Sequence, residues 1–408
     1  MSGWSALAAV AIFTIAFVLI ATEKINRVAV VLSAAALMTL LGLAPGSDVF
    51  YSPHAGIDWD VIFLLLGMMI IVGILKQTGL FEYLGIWAAQ RSHGRPYRLM
   101  VMLMVITAVA SPVLDNVTTV LLVAPITISV CHQLGISPVP YLIAEVLASN
   151  IGGAATLIGD PPNIIIASRA GLSFNDFLVH MTPVTVLMFV AFVLLAGVMF
   201  RRSFAYHPER FEAVRKMDAA AHITDRRLLF RCLLVLALVI VGFTLHTVIH
   251  AEPAIIALLG AGLMVVVSRV DTKRYLAEVE WETLVFFMGL FVMVSGLVQT
   301  GVISRIGEWA VDVVGDDFFL AASGLIFGSA VIGAFVDNIP YAATMATIVQ
   351  DVVAQAPDPQ TGQALWWSFA LGSDLGGNGT AVAASANIVV LGLAARHGEP
   401  ISFWEFTK

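Results

Sequence analysis

Long apolar runs alternate with short polar segments along the chain, and each run is close to the length that crosses a bilayer. A helix of about 20 apolar residues spans the hydrocarbon core of a membrane. Charged residues follow most of the runs, as expected for loops at the membrane surface. We therefore predict a spanning helix in each of Trp4–Ala21, Val28–Leu43, Val61–Leu75, Val184–Phe200, Cys232–Thr247, Pro253–Val270 and Leu284–Val298.

Basic residues predict the orientation of these helices, because loops rich in Lys and Arg stay in the cytoplasm. An N-terminus outside the cell places the basic clusters inside and most acidic loops outside. This assignment of loops to the two sides of the membrane holds only if residues 97–133 and 318–355 are re-entrant hairpins. Each hairpin enters and leaves on one side, and the two open in opposite directions. The residues placed inside include Lys24, Arg27, Arg91, Arg95, Arg98, Lys273, Arg396 and Lys408, and those placed outside include Asp48, Asp58, Glu252, Asp312 and Asp316.

The chain contains an internal repeat, which is common in secondary transporters. Three segments of the first half align with segments of the second half, and the matched positions are mainly polar residues and glycines. Because the hairpins open to opposite sides, we predict two repeats of inverted topology. The aligned pairs are residues 59–79 with 281–301, Asp115-Asn116 with Asp337-Asn338, and residues 150–163 with 374–387.

The predicted fold class is an all-α integral membrane protein with two inverted repeats, each holding a re-entrant hairpin and a discontinuous helix. The first repeat covers residues 1–200, with its hairpin at 97–133 and its broken helix at 139–167. A charged cytoplasmic linker at 201–231 follows. The second repeat covers residues 232–408, with its hairpin at 318–355 and its broken helix at 364–394. The first repeat continues past its broken helix with another span, so we expect a final helix to be missing from the second.

Four polar, Gly- or Pro-rich stretches interrupt the apolar pattern at 111–119, 150–163, 335–344 and 373–387. Irregular backbone at membrane depth is tolerated where it lines a cavity or is buried in protein. Helix ends in such breaks leave free N–H and C=O groups that can bind an ion or solute. The predicted binding residues are Asp115, Asn116, Thr118, Thr119, Asn150, Gly152, Gly153, Thr156, Asn163, Asp337, Asn338, Thr344, Gly376, Gly377, Asn378, Thr380 and Asn387.

Carboxylates inside a membrane are costly and therefore indicate function. No Lys or Arg lies between Leu99 and Ser168 or between Ile306 and Ala395. Only a proton, a bound cation or helix-end N–H groups can therefore neutralise these carboxylates locally. We predict that Asp115 or Asp337 exchanges a proton, although both could also act as helix N-caps. Asp160 and Asp374 lie nearer the segment ends, where water could reach them. The proton-coupling candidates are Asp115, Asp337, Glu145, Asp160 and Asp374.

Composition narrows the function further. The 408 residues are 59% hydrophobic and 12% charged, against roughly 25% charged in an ordinary soluble domain, so the chain belongs in a bilayer. The net charge of −7 argues against nucleic-acid binding. The HExxH, GxSxG and Walker motifs are missing, which argues against an enzyme and a self-contained ATPase. We expect no cofactor and no certain metal site, although sodium would suit oxygen ligands at Asp115 and Asp337.

The polar breaks resemble those of the ion transporter superfamily, in particular the arsenite efflux permease (ArsB) and P-protein permease group, with NhaD-type sodium/proton antiporters as relatives. The similar segments are LDNVTTVLL, AEVLASNIGGAATLIGDPPNIII, VDNIPYAATM and LGGNGTAVAASANIV, which begin at Leu114, Ala144, Val336 and Leu375. The resemblance implies an elevator-type transporter in which a transport domain slides against a scaffold. It also implies a homodimer by analogy.

The resemblance and the residues together lead to three hypotheses about transport. The first is efflux of arsenite or antimonite in exchange for protons, with or without a separate ATPase subunit, across the inner (cytoplasmic) membrane. A neutral metalloid hydroxide suits a site of Asn, Thr and backbone groups. The second is sodium/proton antiport, and the third is anion transport like that of the P proteins. Asn, Thr and Asp serve a sodium ion and a trihydroxide about equally well, so the residues leave the solute open.

Overall fold

The structure is a computed structural model that describes residues 3–21, 25–51, 56–204, 211–212, 215–314 and 317–407. Within these ranges the regular elements are all helical. Lys24, Asp316, Lys408 and parts of the linker at 201–231 lie outside the described residues. In the first half the helices are α1 (Gly3–Ala21), α2 (Arg27–Leu40), α3 (Gly46–Tyr51), α4 (Trp59–Lys76), α5 (Leu80–Arg91), α6 (Pro96–Leu114), α7 (Asn116–Leu134), α8 (Val139–Gly153), α9 (Pro161–Ala170) and α10 (Phe174–Met199).

The second half repeats much of this order. Its helices are α11 (Arg226–Ile249), α12 (Pro253–Ser268), α13 (Thr272–Ala277), α14 (Trp281–Gln299), α15 (Val302–Val314), α16 (Phe318–Gly333), α17 (Asn338–Val353), α18 (Pro359–Gly376), α19 (Ser385–Arg396) and α20 (Phe403–Thr407). Among the described helices, six are long and apolar enough to cross a membrane, namely α4, α6, α7, α10, α11 and α14. An all-helical membrane protein is thereby confirmed.

Several helix boundaries differ from the prediction, and at two of them a polar cap gives the local reason. The span predicted from Val184 begins ten residues earlier, because Ser173 and Asp176 form a capping box that starts α10 at Phe174. The broken helix predicted from residue 364 begins at Pro359. There the Asp358 carboxylate accepts hydrogen bonds from the N–H groups of Gln360 and Thr361, both at 2.9 Å. In both cases a polar cap extends the helix beyond its apolar stretch.

Each half contributes a helix that packs on a helix of the other half. α2 of the first half packs on α14 of the second, and α12 of the second half packs on α4 of the first. A Cβ atom added at Gly67 would lie 2.8 Å from the Ala257 backbone, and one added at Gly289 would lie 2.2 Å from the Val31 side chain. The two glycines occupy aligned positions in the repeat. They allow the close helix contacts that hold the halves together.

The polar breaks lie between the helices of each half. α6 and α7 join at Asp115, and α16 joins α17 through residues 334–337. Residues 154–160 separate α8 from α9, and residues 377–384 separate α18 from α19. α9 packs on α17 of the other half, and α19 packs on α7. Helices that follow the breaks of one half therefore pack on helices that follow the breaks of the other half. Re-entrance and inverted orientation in a bilayer stay predictions.

Candidate functional site

The two Asp residues at the hairpin breaks cap the helices that follow them. The Asp115 carboxylate accepts hydrogen bonds from the Thr118 N–H at 2.8 Å and from the Thr118 hydroxyl at 2.7 Å. Asp337 accepts one from the Ile339 N–H at 3.0 Å. Asp115 also has a φ of 72°, in the region that L residues rarely adopt, which lets the chain reverse direction between α6 and α7. Both Asp residues therefore cap helices, which is the alternative to proton exchange considered for them.

Matching hydrogen bonds tie each broken helix to the hairpin of its own half. The Thr156 hydroxyl donates to the Pro112 carbonyl at 2.5 Å, and the Thr380 hydroxyl donates to the Ala334 carbonyl. Pro112 and Ala334 occupy aligned positions, as do the two threonines. The repeat seen in the sequence is thus matched by equivalent contacts.

The two halves meet at Asn150. Its side-chain N–H₂ faces the Asn387 side-chain oxygen at 3.0 Å, the Gly377 carbonyl at 3.3 Å and the Asn378 side-chain oxygen at 3.3 Å, while its own oxygen accepts from Asn116 at 3.3 Å. Asn116, Asn150 and Asn387 are almost fully buried. Buried amides need such partners, because an unpaired polar group in the interior is costly. We call this group, with Gly377 and Asn378, the asparagine centre.

Glycines allow the broken helices to approach their neighbours. A Cβ atom added at Gly152 would lie 2.5 Å from the Ala108 carbonyl oxygen, and one at Gly153 would lie 2.5 Å from the Gly159 carbonyl oxygen. A Cβ atom at Gly376 would lie 2.9 Å from Gly333. These predicted glycines shape the site by letting backbones approach closely.

Some predicted residues bond within their own hairpin. The Thr119 hydroxyl donates to the Asp115 carbonyl at 2.6 Å, and the Thr344 hydroxyl donates to the Pro340 carbonyl at 2.9 Å. Asn338 lies closer to the centre, since its side-chain nitrogen would be 3.4 Å from a Cβ atom added at Gly377. The structure thus brings Asn338 toward the asparagine centre, whereas the hydroxyls of Thr119 and Thr344 bond to their own helices.

Asp160 and Asp374 are buried, with exposed fractions of 1% and 2%. The expectation that water reaches them is therefore wrong in this conformation, because α9 and α18 pack into the interface between the halves. None of their four carboxylate oxygens has a hydrogen-bond partner among the described residues. The two carboxylates also lie close enough to repel each other. This buried acidic pair is the least satisfied part of the site.

Glu145 lies apart from that pair. Its carboxyl accepts a hydrogen bond from the Thr127 hydroxyl of α7 at 2.5 Å, and its second oxygen has no partner among the described residues. Its side chain is buried. Glu145 therefore connects α8 to α7 within the first half rather than belonging to the asparagine centre.

A cavity of about 670 Å³ opens beside the hairpin break of the second half. Asn26 and Arg27 line it from the start of α2, Glu280 lines it from the start of α14, and Asp337 and Ser385 line it from the polar breaks. A smaller neighbouring cavity is lined by Asp115 together with Arg27, Glu280 and Ser385. The large cavity thus reaches Asp337, and the small one, which shares Arg27, Glu280 and Ser385 with it, reaches Asp115.

Arg27 lies at the candidate site, although the sequence pattern marks it only as a basic residue of a cytoplasmic loop. Its guanidinium donates a hydrogen bond to the Ser385 hydroxyl at 3.1 Å, and Ser385 in turn donates to Asp337 at 3.3 Å. The prediction that nothing but a proton, a cation or N–H groups is available near Asp337 is therefore wrong. Arg27 and Ser385 are 358 positions apart, and the charge at the start of α2 was the one available signal.

Within the described residues no group of three or more His, Cys, Asp or Glu side chains could hold a metal ion. Stacked helices with facing polar breaks and buried carboxylates together define a polytopic membrane transporter.

The comparisons with known proteins agree with that class and identify the family. The model of the family described as "CitMHS: Citrate transporter" matches residues 17–372. The chain belongs to this family, and with it to the ion transporter superfamily. The family is described as one of transporters, which supports the prediction that the chain is not an enzyme.

Three similar proteins place the family match in context. The "46 kDa membrane protein" of Mycobacterium leprae is 49% identical over 98% of this chain and 93% of its own length. The human P protein is 33% identical over 98% of this chain but only 57% of its own length. The crystal structure of the Alcanivorax borkumensis YdaH transporter superposes with a TM-score of 0.59 at 16% identity, covering 91% of this chain and 83% of that chain. The last supports the fold alone.

Proposed function

We propose that this chain is a secondary transporter that moves a small polar solute across the cytoplasmic membrane in exchange for protons. One observation carries the proposal: carboxylates from the hairpin breaks of both halves, Asp115 and Asp337, each border a cavity, and the residues that follow them, Asn116 and Asn338, belong to the asparagine centre or lie beside it. A carboxylate that a cavity connects to the surface can gain and lose a proton. A neighbouring polar centre can bind the solute at the same time.

The proposed mechanism is an elevator. The helices that exchange partners between halves, α2 with α14 and α4 with α12, would form the scaffold. The hairpins and broken helices would form the moving domain, since matching hydrogen bonds such as Thr156 to Pro112 join them. Arg27 would then contact the moving domain from the scaffold. We further propose an N-terminus outside the cell and a dimer anchored by the scaffold, with an ATPase partner as an optional addition.

Arsenite or antimonite is the proposed solute. Their neutral trihydroxides offer donors and acceptors that match Asn side chains and backbone carbonyls. The charge of the large cavity also favours a neutral solute over an anion. Three acidic residues, Glu280, Glu282 and Asp337, line this cavity, and Arg27 is the one Lys or Arg among its described lining residues.

Citrate is the second candidate, and two observations favour it. The family is described as one of citrate transporters. Arg27 also presents a guanidinium to the cavity beside the Ser385 hydroxyl, a combination that binds carboxylates well. Sodium/proton antiport and P-protein-like anion transport remain as further outcomes of the same test.

The test uses purified full-length protein in liposomes that contain a pH-sensitive dye. Addition of arsenite should move protons in the direction opposite to the solute, and citrate, sodium or chloride alone should not. Asp115→Asn and Asp337→Asn should each abolish the proton signal, while Glu405→Gln, an exposed residue of α20, should keep it. Proton movement with citrate or sodium but not arsenite would replace the proposed solute. Undiminished signals in both Asp variants would overturn the proposed coupling.

A further inference from the structure

A separate cavity of about 520 Å³ opens where α5 is followed by α6. Its described lining residues are Arg91, His93, Tyr97, Arg98, Val101 and Met102. They belong to the last turn of α5, to the short connection and to the first turns of α6. Arg98 and Asp115, at opposite ends of α6, are about 25 Å apart at 1.5 Å per helical residue. The cavity is therefore distinct from the candidate transport site.

The connection that forms this cavity is held in place by hydrogen bonds. The buried Ser92 hydroxyl donates to the Ala89 carbonyl at 2.7 Å and accepts from the Gly94 N–H at 3.2 Å. The Tyr97 hydroxyl donates to the Val193 carbonyl of α10 at 2.9 Å. One wall of the cavity is therefore fixed by packing against another helix.

The charge of the cavity is positive. Arg91 and Arg98 are exposed, and no ion pair within the described part of the chain involves either of them. The described lining contains no acidic residue. Glu212 follows Phe211, whose ring lies 6.3 Å from that of His93, but its carboxylate forms an ion pair within the linker at 3.0 Å. The two guanidinium groups are thus available to an anion.

An apolar stripe continues from the cavity along α6. Val101, Val105 and Val109 follow Arg98 at intervals of three and four residues, so all four share one face of the helix. Val105 and Val109 have exposed fractions of 41% and 69%. In a bilayer this face meets lipid chains. A ligand that joins an anionic group to a long apolar chain matches both parts of the surface.

We propose that this cavity binds the phosphate headgroup of an anionic phospholipid, with an acyl chain along the apolar stripe of α6. Guanidinium groups bind phosphate oxygens through paired, charge-assisted hydrogen bonds. Basic pockets between membrane helices on the cytoplasmic side bind such headgroups, and the predicted orientation places this end of α6 on that side. The site does not depend on the solute or on the proposed proton coupling.

The test measures lipid binding rather than transport, so its result is separate from that of the proposed function. Purified full-length protein in a neutral detergent would receive equal amounts of phosphatidylglycerol and phosphatidylcholine with the same acyl chains. Native mass spectrometry then counts the lipids retained by each chain. We expect one phosphatidylglycerol to be retained in preference to phosphatidylcholine, and phosphatidylglycerol to raise the melting temperature, because a ligand of the folded state stabilises it.

Two substitutions and a matched control locate the lipid. Arg91→Gln and Arg98→Gln should each weaken phosphatidylglycerol binding by about fivefold, the effect of one basic residue beside an anionic lipid. Both side chains are exposed, so the fold should be kept. Arg396→Gln removes an exposed arginine of α19 that is predicted on the same side of the membrane and does not line the cavity. It should bind phosphatidylglycerol as wild type does.

Three results would overturn the site. The first is equal retention of the two lipids by wild-type protein. The second is a Kd for phosphatidylglycerol that is unchanged in both cavity variants, or that rises as much in Arg396→Gln. The third is displacement of the lipid by inorganic phosphate at an equal concentration, which would mean that the cavity binds a soluble phosphate. The comparison of the two lipids on wild-type protein decides the question even if a variant fails to fold.

Discussion

At the scale of single residues, Asp115 combines two roles that a substitution can separate. It caps α7 through the Thr118 N–H, and it adopts a positive φ between the two hairpin helices. Asn has nearly the same shape as Asp and accepts the same capping bond. The charge can therefore be removed while the local structure is kept.

Asp115→Ala should lower stability by about 1 kcal/mol for the lost cap. Asp115→Asn should stay close to wild type in stability while losing proton coupling. Thermal melting of the purified variants beside the dye assay checks both expectations. Equal destabilisation by Asn and Ala would show that the charge itself holds the hairpin, contrary to this account.

Glu280, just before α14, predicts a pH dependence of stability. Burial raises its pKa, while the Thr283 hydroxyl and the Arg27 guanidinium oppose the rise. A carboxyl with a raised pKa holds its proton longer in the folded than in the unfolded state. The free energy of unfolding therefore falls as pH rises from the ordinary pKa of glutamate to the raised one.

Glu280→Gln should remove this fall in the free energy of unfolding at higher pH. Relative to wild type, the variant should gain more stability at about pH 7 than at about pH 4, where the wild-type side chain is mostly protonated in both states. Melting curves at the two pH values provide the comparison. A variant that is destabilised at the higher pH would mean that the attraction to Arg27 outweighs burial.

At the scale of helices, the close contacts between halves depend on glycines with a definite geometry. Gly67 on α4 meets the Ala257 backbone of α12, whereas Gly262 on α12 has open space where a Cβ would be. Backbone atoms cannot move aside as a flexible side chain can. The two glycines therefore make a matched pair of substitutions.

Gly67→Ala should destabilise the protein by about 1–3 kcal/mol, as overpacking does. Gly262→Ala should be neutral or slightly stabilising, because Ala favours helix more than Gly does. Melting temperatures of the two variants measure the difference. A neutral Gly67→Ala would contradict the proposed packing of α4 on α12.

The helical breaks could be predicted because their cause is local. Polar and glycine residues interrupt apolar runs at Asp115 and at residues 154–160, and the same residue types allow the backbone to leave the helix. The position of Arg27 could not be predicted, since its contact with Ser385 depends on the packing of α2 from the other half. The burial of Asp160 and Asp374 was missed for the same reason.

At the scale of the whole molecule, the site exists only where the two halves meet. Asn150 of the first half bonds to Asn387 and Gly377 of the second, and the Asp pair draws one member from each half. Neither half alone completes the asparagine centre or the pair. Relative motion of the moving domain and the scaffold would carry the assembled site intact and would break contacts such as Arg27 with Ser385.

The central claim is that a proton gradient drives solute movement through this shared site. Proteoliposomes with wild-type protein and an imposed pH gradient should accumulate arsenite above its external concentration, in the direction opposite to proton flow, and collapse of the gradient should release it. Liposomes with Asp115→Asn or Asp337→Asn should only equilibrate arsenite or fail to take it up. Equal accumulation with and without the gradient, or full accumulation in both variants, would contradict the account.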